Sequence, residues 1–174
     1  MPAKPYLDKL VLLLPLCLSL LAGCTGLGYR LGSSLPPDIR SVYVPAFVNN
    51  SDEPLIETEA TQAVISEFQR DGSLRIADID SADAVLEVVL TGFKLEPVRY
   101  DRDDTRATSE YRMWIYADVL FTRTANGEEI ARASVHGEHD FDPGGDLASA
   151  KANALPGAAA NLARRIVRSV VEYW

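Results

Sequence analysis

The chain has 174 residues, with 17 Lys and Arg against 25 Asp and Glu and a formal net charge of -8 at pH 7. An acidic protein without a basic patch is not expected to bind nucleic acid, whose phosphates call for clustered cations. Of its two cysteines, Cys17 and Cys24, neither lies beyond the first 24 residues.

Lys4 and Lys9 make a positive start, and Leu10 to Leu21 is almost unbroken apolar chain. As a helix that run spans about 18 Å, short of the roughly 30 Å of a bilayer core, so it reads as a signal segment rather than a membrane span. It ends in Leu21-Ala22-Gly23-Cys24. Small residues fit the subsites of a signal peptidase, and the cysteine marks the lipoprotein variant. Residues 1–23 are therefore expected to be cut away as a signal peptide, with Cys24 carrying the lipid. Each buried methylene contributes about 0.8 kcal/mol, so two or three acyl chains make a permanent anchor where one would not. Residue 25 is Thr rather than Asp, which under the enteric sorting rule sends a lipoprotein on to the outer membrane, anchored on its periplasmic face. With Cys17 in the signal and Cys24 lipidated, disulfides, cysteine-ligated zinc and thiol catalysis are not expected of the mature domain. Removing Lys4, Asp8 and Lys9 makes the mature charge one unit more negative.

Residues 24–37 read as a lipidated flexible tether, with Gly26, Gly28, Gly32, Ser33 and Ser34 for flexibility and Pro36-Pro37 against helix. Residues 38–174 are then long enough for one domain with its own core. Ile39 to Val48 is rich in β-branched and aromatic residues and predicts a strand, edge-placed or bulged at Pro45 because proline lacks the ladder N–H. Asn49-Asn50-Ser51-Asp52 offers turn and cap chemistry. A helix follows with Pro54 in its first turn, Ile56, Ala60, Ala63, Val64 and Phe68 on one face, and Asp71-Gly72 at its end. From Ala84, Leu86, Val88 and Leu90 alternate with polar residues. The parity then shifts past Gly92 to Phe93 and Leu95, as a β-bulge would produce. Tyr111 to Thr122 puts Tyr111, Met113, Ile115, Ala117, Val119 and Phe121 on one face and Arg112, Trp114, Tyr116 and Asp118 on the other. One packed and one wet face imply antiparallel pairing.

Two turns suit Thr124 to Glu128. A two-residue Asn-Gly loop would set Phe121 opposite Arg132. A three-residue loop with Gly127 left-handed pairs Thr124 with Glu128 and aligns Val119 and Phe121 with Ala131, Ala133 and Val135. The apolar pattern favours the second. After a strand to Phe141 and a turn at Asp142-Pro143-Gly144-Gly145, Asp146 caps an alanine-rich helix. Its stripe is Leu155, Ala159, Leu162, Ile166, Val170 and Tyr173, and Pro156 should kink or restart it. The expected fold is α+β, order β-α-β-β-β-α. It is a two-layer sandwich of two helices on one face of a four-stranded, mainly antiparallel sheet.

No catalytic set emerges, and no cofactor is called for. His136 and His139 would point to opposite faces of a strand, so the His136-Gly137-Glu138-His139-Asp140 run does not predict a metal site. Asp101, Asp103 and Asp104 resemble a calcium loop, but Arg106 and Arg112 stand where its glycine and glutamate belong. Trp114 and Tyr116 on the wet face hint at a binding surface. The polar segment from Pro97 to Ser109, with Arg99, Tyr100, Arg102 and Arg106, reads as a hairpin loop and is the other candidate for partner contact.

Leu21-Ala22-Gly23-Cys24, Gly28-Tyr29-Arg30-Leu31-Gly32 and the stretch from Ile39 to Asn50 together resemble the start of the lipopolysaccharide-assembly lipoproteins of the LptE type. The likeness continues at Glu67 to Gly72, Ala82 to Glu87, Leu95 to Tyr100 and Phe141 to Asp146. The resemblance implies two helices on a four-stranded sheet. It also implies a non-enzymatic outer-membrane lipoprotein that sits inside a large β-barrel, plugs it and helps it fold, so that the barrel can insert lipopolysaccharide into the outer leaflet. Some members bind lipopolysaccharide themselves. The acidic balance here departs from what such binding would want. The strand ending in Val44-Pro45-Ala46-Phe47-Val48-Asn49 also resembles envelope lipoproteins that activate a peptidoglycan synthase or form part of a secretion pore.

Overall fold

A computed structural model describes residues 35–100 and 108–172 of the chain. The first predicted strand is divided at Pro45 into β1 (Ser41–Tyr43) and β2 (Val48–Asn49), because the ring lacks the N–H that a continuous ladder needs. Helix α1 (Ile56–Asp71) follows, and behind it β3 (Arg75–Ile76) returns beside β1. The crossover through α1 brings the chain back in its original direction, so β3 pairs parallel with β1. β1 and β2 in turn pair parallel with β4 (Ala84–Tyr100). β5 (Thr108–Arg123) and β6 (Glu129–Phe141) extend the sheet antiparallel, and α2 (Leu147–Val171) closes the chain order. The sheet is therefore six-stranded and mixed, not the four-stranded, mainly antiparallel one expected. The α+β class and the two helices hold.

Both helices cover the face to which Leu86, Leu90, Met113, Ile115 and Phe121 point, all fully buried. α1 contributes Ile56, Ala60, Val64 and Phe68, and α2 contributes Ala158, Leu162, Ile166 and Val170, to one continuous core. α1 ends at Gly72, left-handed at φ 76°, whose N–H donates to Phe68 O. It does not begin as expected. Pro54 lies before the first turn, and the cap position is Leu55 at φ 67° with no side-chain cap. The Asn49 amide is used instead to tie the loop, donating to Glu53 O and Glu57 Oε2 at 2.8 Å each. Asp146 does cap α2, accepting from Ala148 N and Ser149 N. α2 runs through Pro156 without restarting. Ala152, whose carbonyl loses its helical partner to the proline, is an exposed residue.

The parity change beside Gly92 is a bulge: Leu90 faces Ala117, whereas Gly92 faces Tyr116. In the β5–β6 hairpin the core register is the predicted one, with Phe121 opposite Ala131 and Val119 opposite Ala133, and Gly127 is left-handed at φ 69°. The turn itself differs. Arg123 N donates to Glu128 O and Gly127 N donates to Arg123 O, so Arg123, not Thr124, faces Glu128 across a loop of residues 124–127. The register shift between Phe121 and Thr122, which leaves Ile130 bulged, then restores the apolar alignment.

The segment from Pro97 to Ser109, expected to be loop, is partly strand: β4 runs on to Tyr100 and β5 starts at Thr108. Pro97 is tolerated there because, among the described residues, no strand lies on β4's outer side beyond Leu90. Leu35 and Pro36 line a hollow with Arg123, Glu128 and Val170, so the chain joins the domain at the end where the β5–β6 turn lies. The β4–β5 hairpin points away from that end.

Candidate interaction surface

The face that the helices leave open is a grid set by the register. Across β4, β5 and β6 its rows are Glu87–Leu120–Arg132, Val89–Asp118–Ser134, Gly92–Tyr116–His136, Lys94–Trp114–Glu138 and Glu96–Arg112–Asp140. Gly92 faces the Tyr116 ring, whose Cδ2 would stand 3.5 Å, an ordinary contact, from a Cβ placed there. The rings of Trp114 and His136 are 5.2 Å apart, those of Tyr116 and His136 6.0 Å, and those of Trp114 and Tyr116 6.3 Å. Arg112 holds Asp140 through two bonds of 2.6 and 2.7 Å and stands 5.7 Å over the Trp114 ring. That paired arginine holds the Asp140 carboxyl below its ordinary range, and Asp140 raises Arg112 in return. Lys94 lowers Glu96 in the same way, with a smaller contribution from the Trp114 indole N–H at 3.3 Å.

His136 is fixed from the side. Arg165 of α2 reaches its Nε2 at 2.9 Å and Glu138 Oε1 at 3.1 Å. A guanidinium can only donate, so Nε2 is the acceptor in this contact. His139 turns to the other side of β6, where its ring lies against Gly157, as the strand geometry predicted. Among the described residues no group of three possible metal ligands comes together.

At the hairpin tip Arg99 pairs with Glu110 at 3.4 Å and Tyr100 is 54% exposed. Arg102, Arg106 and Cys24 lie outside the described residues. The structure thus places two of the expected contact residues together at the far end of β4. It adds a separate cluster, Trp114–Tyr116–His136 with Arg112, Asp140 and Arg165, that was singled out only through its aromatics. The signal for the rest was present, because the predicted hairpin register already sets His136 opposite Tyr116 and Asp140 opposite Arg112.

The sequence pattern of the family described as LptE, lipopolysaccharide-assembly, matches residues 39–170. The chain belongs to the LptE family. No curated protein sequence matches it. Solved structures show a similar fold at low identity. An uncharacterized lipoprotein B from Nitrosomonas europaea is similar at TM-score 0.51 and 13% identity, over 85% of this chain and 92% of that one. A hypothetical protein from Chlamydia trachomatis is similar at TM-score 0.52 and 11% identity, over 77% and 97%. A Xanthomonas campestris protein follows at TM-score 0.50 and 14% identity, over 76% and 86%.

Proposed function

We propose that this LptE-family protein is an outer-membrane lipoprotein, anchored through Cys24 on the periplasmic face. In this reading it docks hairpin-first in the wet lumen of a large outer-membrane β-barrel and supports the assembly that inserts lipopolysaccharide into the outer leaflet. The family match supports the place in lipopolysaccharide assembly. The observation that carries the docking mode is the reach of β4 and β5. Beyond the last pairing with β6, at Tyr111 and Phe141, the described ends of β4 (residues 98–100) and β5 (residues 108–110) run on as a two-stranded tip about 10 Å long. Its end carries Arg99 and an exposed Tyr100, and Arg102 and Arg106 follow in sequence. Mixed charge with an aromatic suits a polar barrel interior, where an apolar tip would not. The eleven peptide units from Cys24 to Leu35 reach at most about 40 Å, so a lipid at Cys24 keeps the domain close to the membrane while the hairpin points away from the tethered end. Among the described residues no helix is long and apolar enough to cross a membrane.

Affinity purification of the tagged chain tests the partner. An outer-membrane barrel as the main companion supports the proposal; a synthase or a homo-oligomeric ring refutes it. Photo-crosslinkers at Arg102 and at Arg168, on α2, test the orientation. Barrel adducts from Arg102 with few from Arg168 are expected. Adducts from Arg168 alone reject hairpin-first docking.

A further inference from the structure

The ionic bonds on the open sheet face are lopsided. Each described cation there is held by a carboxylate: Lys94 by Glu96 at 3.1 Å, Arg112 by Asp140 at 2.6 Å, Arg132 by Glu129 at 2.8 Å and Arg165 by Glu138 at 3.1 Å. Among the described residues, two carboxylates on the same face have no such partner. Glu87 is exposed, and Asp118 accepts a bond only from the Ser134 hydroxyl, at 2.6 Å. Between and beside them lie half-buried Val89 and Leu120, and Tyr116 is 38% exposed.

We infer that the open sheet face from Glu87 to Tyr116 is a docking surface for an arginine- or lysine-bearing extended segment of a partner protein. This deepens the proposed barrel docking by naming the partner's chemistry, and it depends on that reading only for which protein supplies the segment. Covering Glu87 and Asp118 with a neutral or acidic surface would strip water from two carboxylates that no described salt bridge holds, Asp118 being met only at longer range by Arg132, whereas a basic segment supplies direct counter-ions. An anionic ligand is disfavoured, since no described cation on this face is free to meet it. Spacing agrees with the charge. Tyr116 and Asp118 are two residues apart on one strand, about 7 Å, and Glu87 lies diagonally across from Asp118 at about the same separation. A strand with basic residues at alternate positions repeats at that distance. One cation then meets a carboxylate while the next lies over the Tyr116 ring, as Arg112 already lies over Trp114.

The test uses the full chain in detergent with Trp174→Phe, so that Trp114 fluorescence reports on the face. The probe is the blocked peptide Arg-Val-Arg-Val-Arg, with Glu-Val-Glu-Val-Glu as its opposite. The arginine peptide should perturb Trp114, and its Kd should rise about tenfold in Glu87→Gln with Asp118→Asn, as expected for two lost surface ion pairs. Removing the same charge elsewhere, with Asp52→Asn and Glu59→Gln, should leave Kd within about twofold. Equal Kd values for both double variants, or equal binding of the glutamate peptide, would overturn the inference and leave the barrel proposal standing. Conversely, a pull-down without a barrel refutes the proposed function and leaves this surface intact.

Discussion

Replacing Gly137 by alanine puts one methyl group where α2 already lies. The new Cβ would stand 2.5 Å from Ala158 O, 2.6 Å from Leu162 Cβ and 2.7 Å from Leu162 N. These are helix backbone atoms and a Cβ, none of which can rotate away. Restoring an ordinary 3.4 Å contact requires α2 to retreat from β6 by about 0.9 Å. Overpacking of this kind costs about 1–3 kcal/mol, and loss of glycine's freedom in the unfolded chain returns about 0.4–1 kcal/mol. The net is about 1–2 kcal/mol, a fall in Tm of about 2–8 °C for a domain of this size. Gly157→Ala is the matched comparison. Its Cβ would meet the His139 ring at a similar 2.7 Å, but that side chain is exposed and can swing out, while alanine favours the helix by about 0.5–1 kcal/mol. Gly145→Ala meets nothing within 4 Å and should change nothing. Thermal melts by circular dichroism should therefore rank Gly137→Ala well below the other two. If Gly137→Ala melts with the wild type, or Gly157→Ala falls equally, the account of close helix–strand contact is wrong.

Asp83 ties the start of β4 to β1, accepting from Arg40 N, Ser41 N and Ser41 Oγ at 3.0, 3.0 and 2.7 Å; because Ser41 is buried, Asp83→Ala should cost about 1–3 kcal/mol in urea unfolding. The Ser41 hydroxyl and the Arg40 amide hold the Asp83 carboxyl below its ordinary range. Its stabilisation is thus full above the unfolded value and lost as pH falls through the lower folded one, so the gap between wild type and Asp83→Asn should shrink as pH drops below about 4. Leu55 is left-handed and 73% exposed, so Leu55→Gly should leave Tm unchanged or raise it by up to about 1 kcal/mol equivalent; a clear fall would show that the side chain packs in the native state. Cys24→Ser should remain uncut and unlabelled by fatty acid in cells, and normal processing would refute lipidation at that residue.

What the sequence disclosed depended on the length of each pattern. α1, α2 and the long strands repeat their apolar residues often enough to be read, and the slip past Gly92 was visible as a change of parity. β3 has two residues and no period to read. Its parallel pairing with β1 is imposed by the crossover through α1, a non-local fact. The α1 start was misplaced because Asn49 looked like cap chemistry, whereas its amide is spent on Glu53 and Glu57. Tertiary closure of the β2–α1 loop prevailed over local capping. The β5–β6 loop shows the same order of strengths. Facing apolar residues fixed the core register, and the turn adjusted by one residue through the Ile130 bulge. The open face was half legible: its aromatics announced themselves, but their ionic partners come from β4, β6 and α2.

The close approach at Gly137 links the packing of the domain to the chemistry of that open face. Among the described residues β6 is the last strand on its side, and its outward backbone groups would invite another strand. Because residue 137 has no side chain, α2 lies near enough for Asn161 Oδ1 to accept from the Glu138 N–H and for Arg165 to reach round the edge to His136 and Glu138. One glycine thus blunts the sheet edge against unwanted pairing and brings a fourth cation to the open face, already paired. If α2 retreated, Arg165 would release Glu138 and His136, leaving Glu138 only its longer 4.0 Å contact with Arg112 and loosening the histidine that lies tilted against Trp114. Gly137→Ala should therefore alter Trp114 emission as well as Tm, and an unchanged spectrum beside a lowered Tm would show that the helix contact and the aromatic cluster are independent.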